Sequence, residues 1–109
     1  MARDEVEAAY FALLRARDEL GSLRRYQEYL ADERRRIQRF LREGEALVDQ
    51  VDRRMLRRLR HTDGPLAEAF QTRVKVIADE EERLPDRIAA AEAFVRECED
   101  AHERLRRSA

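Results

Sequence analysis

The chain has no Trp, one Cys, two Pro and three Gly among its 109 residues. Each shortage excludes something. A lone Cys98 permits no intramolecular disulfide, three Gly rule out a collagen-like repeat, and no run of about 18 apolar residues is present to cross a bilayer. Aromatic residues make up only 6%, and 16 Ala leave 31 larger apolar side chains. That is fewer than a thick mixed α/β core of this size uses.

Charge is what the chain has in abundance, at 43% of residues. Together with frequent Ala, Leu, Arg and Glu, this is the composition of long amphipathic helices in one all-α domain spanning residues 1–109. The 24 acids and 23 bases nearly cancel, which argues against nucleic-acid binding through overall charge. The distribution is less even: residues 1–61 hold 15 Arg against 12 acids, and residues 62–109 hold eight cations against 12 acids. The start, Met1-Ala2-Arg3-Asp4-Glu5, lacks the apolar stretch of a signal peptide. With the lone Cys, this makes the cytoplasm the expected compartment.

One place combines several helix-breaking signals, His61-Thr62-Asp63-Gly64-Pro65. The expected turn lies there, between helices over residues 3–60 and 65–107. Heptad rows support both helices. In the first segment the rows Val6, Leu13, Leu20, Gln27, Arg34, Leu41, Val48, Met55 and Ala9, Ala16, Leu23, Leu30, Ile37, Gly44, Val51, Arg58 are apolar at 12 of 16 positions. In the second, Ala67, Val74, Glu81, Ile88, Val95, His102 and Phe70, Ile77, Leu84, Ala91, Cys98, Leu105 are apolar at ten of 12. An antiparallel coiled-coil hairpin closed by this turn sets Glu81 opposite Gly44, Arg34 opposite Ala91, and Gln27 opposite Cys98.

Gly21, Gly44 and Pro85 interrupt the helices without breaking the heptad phase. The expectation is a kink near residues 81–85 and soft joints at Gly21 and Gly44; a helix stop at Gly44 is the alternative.

In that register residues 3–17 overhang the second arm and expose Val6, Tyr10, Phe11, Leu13 and Leu14. One flank adds Tyr26, Phe40, Leu47, Leu66 and Phe94, whereas the other carries Arg17, Arg24, Glu92 and Glu99 and is solvated. The apolar residues form the candidate partner interface. A four-helix assembly of two hairpins satisfies them best; an N-terminal segment folded back as a third helix, or another helical protein, are the alternatives.

Other constellations are weaker. Glu99-x-x-His102 with Cys98 has the spacing of a metal-binding helix face, but the facing positions add no carboxylate, so no metal or cofactor is expected. Arg53, Arg54, Arg57, Arg58, Arg60 and His61 form a candidate anion-binding tip. No aromatic is interleaved for base stacking, and cations at the end of a first helix also suit its macrodipole. No nucleophile and base share a pocket, so no enzyme is expected. The sequence therefore reads as an interaction or regulatory adaptor module, with nucleic-acid or anionic-ligand binding through the tip as the competing function.

Overall fold

A computed structural model describes residues 2–108 as two helices, α1 (Ala2–Val48) and α2 (Arg53–Ser108), with no strand among the described residues. The protein is an all-α helical hairpin. Neither helix is long and apolar enough in any stretch to cross a membrane, among the described residues.

The turn falls at residues 49–52, not at His61–Pro65. Asp52 explains the start of α2. Its Oδ1 accepts a hydrogen bond from the Met55 backbone N–H at 2.8 Å, and its carbonyl accepts the Leu56 N–H at 2.8 Å. This is N-cap geometry, in which a short polar side chain satisfies a donor that the first helical turn leaves open. The end of α1 is closed by the Gln50 N–H donating to the Leu47 carbonyl at 3.0 Å. No described residue has positive φ, so this turn needs no glycine. Replacing Asp52 with Ala should destabilise the hairpin by about 1 kcal/mol, measured by chemical denaturation.

The expected turn residues are helical because nothing in them forbids a helix. Gly64 keeps a negative φ, and the ring of Pro65 holds φ near the helical value, so its penalty is one lost backbone bond plus local crowding. Leu56, Leu59, Ala67 and Phe70 on either side are all at least half-buried, which keeps α2 on one packing face through this stretch. Both helices also run unbroken through Gly21, Gly44 and Pro85, so the alternative stop at Gly44 does not occur.

The chain divides into two compact units, Met1–Glu28 with Arg83–Ala109, and Tyr29–Glu82. In the first, Leu13, Ala16 and Leu20 of α1 are buried, as are Leu84, Ile88 and Val95 of α2. Arg17 meets Glu99 at 3.7 Å and Arg24 meets Glu92 at 3.5 Å, so the segments run antiparallel. In the second, Leu30, Ile37 and Ile77 form the buried centre.

The heptad rows locate the buried face correctly on both helices. All 12 row positions of α2 from Ala67 to Leu105 are buried or half-buried, as are those of α1 from Val6 to Val48 except Gly44. The pairing of the rows differs from the sequence expectation. Arg17 would stand beside Ser108 in the expected register and instead meets Glu99. Met55 and Arg58, placed on the seam by the sequence, are exposed. Glu81 does not face Gly44, nor Arg34 Ala91: the two charged seam residues face each other. The overhang disappears for the same reason, since Leu13 is only 4% exposed and the rings of Tyr10 and His102 lie 5.6 Å apart.

Candidate functional site

The expected interface residues divide between the two units. In the first unit Tyr10, Phe11, Leu14, Tyr26 and Phe94 are exposed, Phe11 most of all at 65%. Val6 is half-buried and Leu13 is buried, so Leu13 belongs to the core and leaves the candidate interface. Phe11 and Phe94 line one groove with Ala8, Ala12 and Ala16, and Arg15 and Glu19 are its charged members. Three alanines four residues apart make this side of α1 low and close to its backbone.

The opposite side of the same unit is closed by charge. Arg17–Glu99 and Arg24–Glu92 recur seven residues apart along both helices, where flanking positions of a helical seam carry ion pairs. All four side chains are about half exposed, so these pairs add little stability. They also occupy Glu99, the carboxylate of the Glu-x-x-His spacing. The His102 ring lies against Tyr10 at a tilt of 45°, and Cys98 is half-buried. Among the described residues, no three His, Cys, Asp or Glu side chains converge as a metal-binding group.

In the second unit Phe40, Leu47 and Leu66 are exposed, with Phe40 edge-on to Phe70 at 5.0 Å between ring centroids. Phe40 and Leu47 line a hollow that includes Gly44, Gly64 and Ala67. A Cβ added at Gly44 or Gly64 would meet nothing within 4 Å, so close packing does not require glycine at either position. Tyr29, Val76 and Met55 are exposed apolar residues that the sequence reading missed. Tyr29 carries a legible signal, lying on the same seven-residue row as Ala8, Arg15 and Ser22. Met55 was masked by the turn assignment.

This unit also holds two forked ion pairs of opposite sense. Arg34 donates from Nε to Glu81 Oε1 at 2.7 Å and from Nη2 to Oε2 at 3.2 Å. Arg73 does the same to Glu33, at 2.8 and 3.2 Å. Planar two-point contacts of this kind fix geometry as well as charge. The Arg73 hydrogen bonds hold the Glu33 carboxyl below the usual carboxylate range, with smaller help from the Tyr29 hydroxyl and against partial desolvation. A depressed pKa means that the stabilisation is complete above the unfolded value and is lost as pH falls through the folded one. Glu33→Gln should therefore flatten the acid side of the stability–pH curve, below the ordinary carboxylate range. Urea midpoints measured from neutral to acid pH for both proteins check this.

The basic residues Arg53, Arg54, Arg57, Arg58, Arg60 and His61 lie at the start of α2, not at the end of a first helix. All six are exposed. The macrodipole explanation is overturned, because cations at a helix N-terminus oppose the dipole, and the first turn of α2 contains no acid. Arg57, Arg58, His61 and Thr62 surround a shallow hollow on this segment.

Compared with protein-family models, with curated proteins and with solved structures, the chain matches none.

Proposed function

We propose that this chain is a non-enzymatic antiparallel coiled-coil module that acts in the cytoplasm as a protein–protein interaction or regulatory adaptor, and that it works as a homodimer. One observation carries the reading: the two flanks of the seam differ in kind. On the first unit one flank bears the ion pairs Arg17–Glu99 and Arg24–Glu92, whereas the other presents Phe11 and Phe94 over a floor of alanines. Exposed aromatic side chains grouped beside small residues favour a protein partner, since their burial is worth far more than that of scattered apolar groups. The seven-residue recurrence of the ion pairs favours a coiled coil. Four helices in two hairpins are a stable way to cover such a flank.

Light scattering on the purified chain tests the reading. A dimer mass at tens of micromolar is expected, and Phe11→Ser with Phe94→Ser should shift the chain toward monomer while circular dichroism keeps its helical signal. A monomer mass for the unaltered chain at that concentration contradicts the homodimer.

A second reading rests on the cations at the start of α2. Five exposed Arg and an exposed His over the first nine residues of α2, two of the Arg in its first turn, concentrate positive charge and favour an anion, which supports nucleic-acid or small anionic-ligand binding. Retention on a polyanion resin that collapses with salt, and with Arg57→Ala plus Arg58→Ala, would support it; passage through the resin at low salt would end it.

A further inference from the structure

We infer that two copies of the chain associate through α1 itself, antiparallel, about a two-fold axis level with Arg17, using the exposed row Ala8, Ala12, Arg15, Glu19, Ser22 and Tyr26. This rests on the homodimer reading above and names the surface that forms the dimer.

The row is built like a seam. Its residues are spaced alternately four and three apart, as the buried rows of α1 are, and all six are exposed. Such spacing keeps a row facing a neighbouring helix over several turns. The row lies to one side of the buried face, on the side where Ala8, Ala12, Arg15 and Glu19 share a groove with Phe11 and Phe94. A helix that contacts one neighbour through its buried face and another through an adjacent row has the two contacts required of a member of a four-helix bundle.

Reversing the row onto itself produces complementary partners throughout. Arg15 meets Glu19 of the second copy, and Glu19 meets Arg15 of the second copy. Ala12 meets Ser22, small against small, and Ala8 meets Tyr26, small against large. The other arrangements fail on charge. A parallel pairing sets Arg15 against Arg15, and sliding the antiparallel pairing by one heptad sets Arg15 against Ala12 or Tyr26 and leaves Glu19 without a cation. Isologous interfaces need this self-complementarity, because each contact is made twice.

Arg15 and Glu19 are also free to make the contact. They stand four residues apart on one helix, yet no ion pair joins them or engages either with another described residue. A cation N-terminal to an acid is the weaker order for such a pair within a helix. By contrast, Arg17 and Arg24 on the opposite flank are engaged with α2. The low alanine floor lets a second backbone come close, and the exposed rings of Phe11 and Phe94 supply the apolar area beside the charges.

Charge reversal tests this on the full chain. The variants Arg15→Glu and Glu19→Arg should each raise the dimer dissociation constant by at least about tenfold, because the like-charge contact occurs twice across the axis. Mixing the two variants in equal amounts should restore a dimer, now of one copy of each, since every contact again joins opposite signs. Light scattering reads the mass, mass spectrometry the composition, and circular dichroism the helical content. If the unaltered chain is dimeric and both variants remain dimers of unchanged affinity, the interface lies elsewhere and the homodimer reading stands. If the variants dissociate but their mixture does not re-associate, the antiparallel pairing is overturned. A monomeric unaltered chain removes both.

Discussion

Truncating Ile77 to Ala should lower the thermal midpoint by about 8–20 °C, from a loss of about 2–5 kcal/mol at roughly 4 °C per kcal/mol for a chain of this size. Ile77 is fully buried, and Leu30 in the same unit is 1% exposed. The truncation removes apolar volume where the hairpin has little to spare, and the surroundings close only partly over the gap. Met55→Ala is the matched control. The sequence places Met55 on the seam, whereas it is 54% exposed in the structure. Its truncation should change stability by less than about 0.5 kcal/mol. A large loss at Met55 would restore the turn to Gly64–Pro65.

The second large effect is expected at Arg34 and Glu81. Arg34→Glu puts two carboxylates where a forked ion pair stood, and should destabilise the chain by about 1–3 kcal/mol. The lower half of that range is favoured because the side chains are 34% and 24% exposed, so water screens part of the interaction. Adding Glu81→Arg should recover most of the loss. A double-mutant cycle by urea denaturation reads the coupling. In the register that closes at Gly64–Pro65, Arg34 and Glu81 are far apart and the two substitutions would add independently.

These two sites also show what could be read from the sequence. Helical class and the buried faces were legible because rows such as Leu13, Leu20 and Ile77, Leu84 repeat every seven residues. Periodicity reports which face of a helix is buried but is silent on which turn of one helix meets which turn of the other. Register therefore fell to the turn signals, and Gly64-Pro65 is the densest of these. Those residues permit a turn without demanding one. The actual turn uses Asp52 as a cap and needs no positive φ, so it carries no glycine to mark it. A better guide lay in the two charged seam positions. A charge on a seam needs an opposite charge, and matching Arg34 to Glu81 selects the observed register over the expected one.

The candidate interface was legible in part for the same reason. Phe11, Tyr26, Phe40, Leu47, Leu66 and Phe94 sit off the buried rows in any register, so their exposure followed from periodicity alone. Leu13 lies on a buried row, and only the mistaken overhang made it appear available. The basic residues 53–61 stand at the start of α2 and not at the end of a first helix, because moving the turn converts the end of one helix into the start of the next.

The register can be measured directly. Nitroxide labels introduced by Arg17→Cys with Glu99→Cys, and separately by Arg17→Cys with Ser108→Cys, each in a Cys98→Ser background, report two distances by pulsed electron paramagnetic resonance. Diluting labelled chains with unlabelled ones isolates distances within one chain. The Arg17–Glu99 contact predicts that the 17–99 distance is the shorter, because nine helical residues at 1.5 Å each place Ser108 about 13 Å further along the helix axis. A shorter 17–108 distance would contradict the register in which Arg17 meets Glu99.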